Sequence, residues 1–403
     1  MSGQTRLSDG PATPVARAAA SAPPAQRATW IDVDLDVIAR NVARLKAHAA
    51  APGLIAVVKA GGYGHGLVPT AHACLAGGAD RLAVALVEEG VALRRAGIDA
   101  PILVMTEPPA SAARALLDAD LDPTVYTPAF LAALNDAAVG GPPARVHVKL
   151  DTGMRRVGVP PADWQAVLEA VVAAPQVTFE GLWSHFAVAD EPDHPFIAAQ
   201  TRAFADGVAL ARRSARPPQV VHLANSAGTL HLPATHYDLV RPGLAVYGLE
   251  PAPGLAAGLG LEPALSWYSR LSLVKRLAAG EGVSYGLTWQ ATQPTTLGTV
   301  PAGYADGVVR ALARRGRVVV GGRRVPLAGR VCMDQFCVDL GAADAAVGDE
   351  VVLLGGQGSA RVTAEDWADW LGTINYEIIC GLGARVPRVY RGTGALARHA
   401  TPG

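Results

Sequence analysis

Only four of the 35 basic residues are lysines, at Lys46, Lys59, Lys149 and Lys275. Arginine serves wherever a surface charge is enough, so a lysine marks a place where the amine itself can matter. Lys46, on the polar side of a helix, and Lys275, in a strand, read as solvated charges. Lys59 differs: it ends the apolar run LIAVV and precedes AGGYGHG. An amine at such a partly dry strand end can lose its proton and form a Schiff base with a carbonyl or with pyridoxal phosphate. Other apolar runs end in equally reactive groups: Lys149 and Asp151 before TGMRR, His185, Asn225 with Ser226, and Arg241 with Pro242 and Gly243. Alone, each has an ordinary reading: a satisfied structural histidine, a serine helix cap, or an Arg241–Asp238 ion pair.

The elements that must position these groups alternate from 30 to 244. Apolar runs at 54–59, 82–86, 102–105, 123–126, 146–150, 179–185, 220–223 and 238–241 are separated by segments of helical periodicity. The first helix places Ile38, Val42 and Leu45 on one face behind Asp34 and Asp36. Eight such units predict an α/β fold, a (β/α)8 TIM-type barrel whose strand ends share one mouth. Phosphate sites in such barrels commonly lie at the loops after strands seven and eight, here at Ser226 and Gly243. A lysine facing that phosphate across the mouth fits pyridoxal phosphate. Arg241 would then reach the pyridine nitrogen. A guanidinium does not readily protonate that nitrogen, which suits simple proton removal and return at Cα.

After about Leu261 the texture changes to strand-like segments with glycine turns, predicting a mostly β C-terminal domain. One helix interrupts it at 363–371, where Thr363 and Asp366 form a capping-box pattern. The expected division is a disordered extension over 1–28, the barrel over 29–261, the β-rich domain over 262–395 and a tail over 396–403. Across the 403 residues, 50% are hydrophobic, 17% are charged, and 35 basic side chains balance 35 acidic ones. That balance argues against nucleic-acid or membrane-surface partners. No apolar run reaches the roughly 18 residues of a membrane span, and the N-terminus lacks the apolar core of a secretory signal. Cys74, Cys332, Cys337 and Cys380 form no C-x-x-C pair. Reduced thiols and a cytoplasmic location are expected, with no metal.

The ordered segments AVVKAGGYGHG, VKLDTGMRRVG, WSHFAVAD, HLANSAG, RPGLAVYG, VSYG, GYADG, GRVCMDQ and INYEI resemble the signature segments of the alanine racemase family. The resemblance spans nearly all of 30–390. It implies a pyridoxal-phosphate enzyme that interconverts L- and D-alanine, supplies D-alanine for peptidoglycan, and is a homodimer whose sites borrow residues from the partner's β domain. By that resemblance Lys59 holds the cofactor and serves one face of Cα, and Tyr285 serves the other from the second subunit. His185 is expected between Arg241 and Tyr285. Tyr63, Ser226, Gly243 and Tyr376, with Asn225, match phosphate and cofactor contacts. Arg156 matches an arginine near the cofactor phenolic oxygen, and Arg241 the pyridine-nitrogen partner. Tyr304, Met333 and Asp334, with Arg156, match substrate contacts, and Lys149 matches a lysine often carbamylated in that family.

Two departures stand out. Gly61 and Gly62 replace the usual Asn or Asp and Ala, which is expected to loosen the loop to Tyr63, and Arg155 replaces a glycine. The alternatives are a racemase of the same fold acting on serine or a wider range, one serving a specialised pathway, a fold-related decarboxylase, and a non-catalytic cofactor carrier. A dinucleotide-dependent dehydrogenase is disfavoured by the glycine spacing of GGYGHG.

Overall fold

The computed structural model describes residues 26–392. The expected N-terminal extension, apart from 26–28, and the expected tail at 396–403 lie outside the described residues.

The chain begins with β1, Trp30–Asp34, and then a helix, Leu35–His48. Asp34 caps that helix by accepting from the Val37 backbone N–H at 3.0 Å, and Ile38, Val42 and Leu45 are fully buried on its inner face. Eight strands follow: β2 (Gly53–Val57), β3 (Arg81–Val84), β4 (Ile102–Val104), β5 (Asp122–Val125), β6 (Ala144–Lys149), β7 (Val177–Trp183), β8 (Val220–His222) and β9 (Leu239–Val240). They form a closed parallel barrel, β9 returning to β2 with Gly53 opposite Leu239 and Leu54 opposite Val240. The connecting helices cover the outer face of each strand and the barrel interior buries the other, which is why the runs are continuously hydrophobic.

The second body is a ten-stranded, mostly antiparallel sheet to which the chain returns after the barrel through β10, Leu265–Arg270. Its capping-box helix is Ala364–Leu371, where Thr363 Oγ1 accepts from the Asp366 N–H at 3.1 Å and the Asp366 carboxylate accepts from the Thr363 N–H at 2.8 Å. The structure differs from the pattern reading at β1. Grouped by sequence with the barrel, β1 instead pairs antiparallel with β10 and parallel with Arg388–Arg391. A strand followed at once by a helix looks like a barrel unit, and only partners more than 230 residues away place it elsewhere. No helix among the described residues is long and apolar enough to cross a membrane.

Candidate functional site

At the C-terminal ends of the barrel strands lies a cavity of about 620 Å³. Lys59, Lys149, Arg156 and Arg241 line it, and among the described residues no carboxylate does. The cavity is therefore electropositive and suited to an anionic ligand.

Lys59 follows the end of β2. The next four residues, Ala60, Gly61, Gly62 and Tyr63, have φ of 55°, 62°, 65° and 51° and make one left-handed turn. The glycines thus supply a conformation that side-chain-bearing residues resist; the expected loosening of the loop is replaced by a defined turn. Glu89 secures it by accepting from the Ala60 N–H at 2.6 Å and the Ala85 N–H at 2.9 Å. Burial, followed by Arg156, pulls the Lys59 amine below its ordinary pKa, against the opposing pull of Cys380 and Glu89. Lys149 ends β6 with its Nζ 4.1 Å from the centroid of the Trp183 ring. Burial and then Arg241, Arg156 and Lys59 lower its pKa to about 7.

Arg241 follows β9 and is buried. Its Nη2 donates to the carbonyls of Ser184 at 2.7 Å and Leu223 at 3.1 Å, and its guanidinium lies 4.7 Å from the Trp183 ring. Asp238 is not among the partners of Arg241 in the described residues; its carboxylate accepts from the Val221 N–H at 2.8 Å. The Arg241 Nε is buried and has no hydrogen-bond partner among the described residues. A donor left this way calls for an acceptor from a ligand. Burial lowers the Arg241 pKa to about 9. His185 sits 3.4 Å from Arg241 Nη2 through Nδ1, and burial, reinforced by Arg241, holds it neutral.

The loops after β8 and β9 meet at Ser226. Asn225 caps the helix Ser226–His231 by accepting from the Gly228 N–H at 3.0 Å. Ser226 Oγ accepts from the Gly243 N–H at 2.8 Å and the Ala245 N–H at 3.3 Å. A Cβ at Gly243 would stand 2.4 Å from the Tyr63 hydroxyl, so glycine is what lets these loops close against Tyr63. Tyr376 lies 6.4 Å from Tyr63 between ring centroids. Burial raises the pKa of both phenols, that of Tyr376 to about 12, and keeps them as neutral donors.

Other candidates lie elsewhere. Tyr285, Met333 and Asp334 line a separate cleft in the β domain. Tyr285 is 71% exposed, Met333 53% and Tyr304 44%. Within one chain His185 therefore approaches Arg241 but not Tyr285. The turn Tyr304–Asp306 hangs on the segment carrying Met333: the Tyr304 N–H donates to Cys332 O and the Ala305 N–H to Met333 O, both at 3.0 Å. Buried Asp306 holds the turn by accepting from the Gly303 N–H at 2.9 Å, from Arg385 Nε at 2.7 Å and from Arg27 Nη2 at 2.5 Å. Arg385 also donates to Asp334 at 2.7 Å. Trp183 and Cys380 line the main cavity, and Arg27 and Arg385 organise the β-domain turn; sequence reasoning assigned none of them. For Trp183, its place two residues before His185 in WSH was the available signal; nothing local marks Arg27.

Barrel and sheet, with this lysine and arginine at the mouth, are the two-domain architecture of the amino-acid racemases that this chain is similar to. The chain belongs to the alanine racemase family. The family described as alanine racemase, N-terminal domain, matches residues 33–251, and that described as alanine racemase, C-terminal domain, matches 264–390. The alanine racemase of Frankia casuarinae is 46% identical over 367 residues, spanning 89% of this chain and 95% of that protein. That of Mycobacterium avium is 46% identical over 368 residues, spanning 89% and 94%. The alanine racemase structure from D-cycloserine-producing Streptomyces lavendulae superposes with a TM-score of 0.90 at 45% identity, covering 94% of this chain and all (100%) of that one.

Proposed function

We propose that this chain interconverts L- and D-alanine with pyridoxal phosphate as cofactor, as a cytoplasmic homodimer that supplies D-alanine to peptidoglycan. The observation that carries the reading is the unpartnered, buried Nε of Arg241. It is a donor that cannot readily give up its proton, and a pyridine nitrogen is an acceptor it would satisfy while leaving that nitrogen unprotonated. The phosphate would be held by Tyr63, Tyr376, Ser226 and the Gly243 loop, with Asn225 fixing the helix start, and Arg156 would face the phenolic oxygen. When bound, the cofactor takes up the electron pair left at Cα.

Everything else falls to the protein. The partly dry cavity favours the uncharged Lys59 amine, which can bind a carbonyl covalently and then carry a proton on one face of Cα. Tyr285 of the partner subunit would serve the opposite face, with His185 and Arg241 polarising its phenol. L-alanine would give its Cα proton to Tyr285 and receive one on the other face from Lys59; the reverse reaction exchanges the roles. Arg156, with Tyr304, Met333 and Asp334 of the partner's turn, would hold the substrate carboxylate and narrow the mouth. A Lys149 amine with a pKa of about 7 is substantially uncharged at neutral pH and can take up carbon dioxide, releasing a proton and placing a carbamate anion beside Arg156.

Borohydride reduction followed by peptide mapping tests the site: label belongs on Lys59, and label on Lys149 or Lys275 alone would overturn it. Steady-state rates across a panel of L-amino acids test the substrate. Alanine is expected to be fastest, and a faster serine would overturn that part.

A further inference from the structure

Ser284 precedes Tyr285 with φ 66° and ψ −176°, a region of backbone space that is almost confined to glycine. Gly286 and Leu287, just beyond Tyr285, also have positive φ, at 73° and 44°. Tyr285 is thus carried on a sharply bent loop between the short paired strands Gly282–Val283 and Trp289–Gln290. A glycine at 284 would adopt this conformation without strain, yet the chain has a side chain there. That side chain has a use: its hydroxyl donates to Arg330 O at 2.7 Å and lies 3.4 Å from Cys332 Sγ. The two segments are pressed together, since a Cβ on Gly329 would stand 2.6 Å from Val283 O and 2.9 Å from Ser284 Cβ. The same segment continues to Met333, whose carbonyl accepts from Ala305 in the turn that begins at Tyr304.

We propose that Ser284 is a positioning residue for racemisation. Its bond to Arg330 O fixes the direction of the neighbouring Tyr285 phenol and ties it to the Cys332–Met333 segment, and local backbone strain is retained to keep that bond. The proposal rests on the reading of Tyr285 as a proton-transfer group. It separates two roles usually fused in one residue, because glycine satisfies the backbone here and only a hydroxyl satisfies the tether.

The test uses full-length holoenzyme carrying Ser284→Gly, Ser284→Ala or Tyr285→Phe. The readouts are solvent exchange of the Cα hydrogen from each enantiomer of alanine and the Tm with and without cofactor. Ser284→Gly should keep or raise the Tm while exchange from L-alanine falls roughly 10- to 100-fold, the size of effect a displaced group produces. Exchange from D-alanine, served by Lys59, should stay near the parent rate, and the loss should appear in kcat with KM little changed. Ser284→Ala should show the same asymmetry with a lower Tm. Parent rates for both enantiomers in Ser284→Gly, or an equal fall in both, would overturn the proposal even where Tyr285→Phe is inactive. Retained L-alanine exchange in Tyr285→Phe would instead remove the reading beneath it.

Discussion

Arg241 Nη1 donates a 2.8 Å hydrogen bond to Nδ1 of His222. A guanidinium has no acceptor, so His222 Nδ1 must be unprotonated and its proton must sit on Nε2. That N–H faces His147 Nδ1 at 2.9 Å, which therefore accepts, leaving the His147 proton on Nε2. One arginine sets the tautomers of two histidines inside the barrel. Their geometry requires a small neighbour, because a Cβ on Gly181 would lie 2.0 Å from His147 Nδ1.

Acid should unfold the protein through its buried histidines. Burial first, and then neighbouring arginines, lower His147 to about 3 and hold His185 and His222 well below their ordinary value; burial lowers His65 to about 4. Below about pH 6.5 the unfolded chain takes up protons that the folded chain refuses. The histidines' contribution to stability is therefore full above pH 6.5 and falls as the pH drops below it, by about 1.4 kcal/mol per pH unit for each such histidine. Denaturant midpoints from pH 8 to pH 5 measure this; a midpoint independent of pH would contradict it.

Gly61→Ala should destabilise the fold by about 1 kcal/mol, the cost of a Cβ in a left-handed conformation, since nothing lies within 4 Å of the added atom. Gly62→Ala should cost more, because its Cβ would also stand 2.8 Å from Thr70 Oγ1. Equal losses in urea titrations would show that the turn adapts.

The apolar runs made all eight barrel strands legible, because a strand buried on both faces leaves a continuous hydrophobic trace. The turn after Lys59 was legible only as flexibility: two glycines permit many conformations, and the left-handed one is secured by Glu89, 29 residues from Ala60. Arg155 has φ 57°, a setting that explains why a glycine there would be comfortable; its spacing gives no hint of this. Tyr285, Tyr304 and Met333 came to notice through motif resemblance alone, since no pattern of hydrophobicity links them to the barrel mouth. Arg27, Asp306 and Arg385 meet across 279 and 79 residues, separations at which local periodicity carries no information.

Arg27→Ala should remove about 1–3 kcal/mol of stability, because Asp306 is fully buried and loses one of its charged donors. The Tyr304–Asp306 turn should loosen with it, raising KM for alanine more than it lowers kcat. Unchanged KM with reduced Tm would confine Arg27 to a structural role.

Mixing an inactive Lys59→Ala chain with an inactive Tyr285→Ala chain should restore activity, about one intact site per heterodimer if each site draws on both subunits. Verified heterodimers without activity would mean that each chain completes its own site.

The pairing of β1 with both β10 and Arg388–Arg391 makes the barrel an insertion within the sheet. An ion pair between Asp32 and Arg391 at 2.6 Å closes that circuit across 359 residues. During synthesis the barrel strands leave the ribosome complete while the sheet still lacks its last strand. The β domain, and with it Tyr285, therefore takes its final form only after Arg388–Arg391 has been made. A chain stopped before Arg388 would leave β1 with an unpaired edge, open to association with another chain. Assembly is thus timed by topology: the barrel mouth exists before the surface that would complete it.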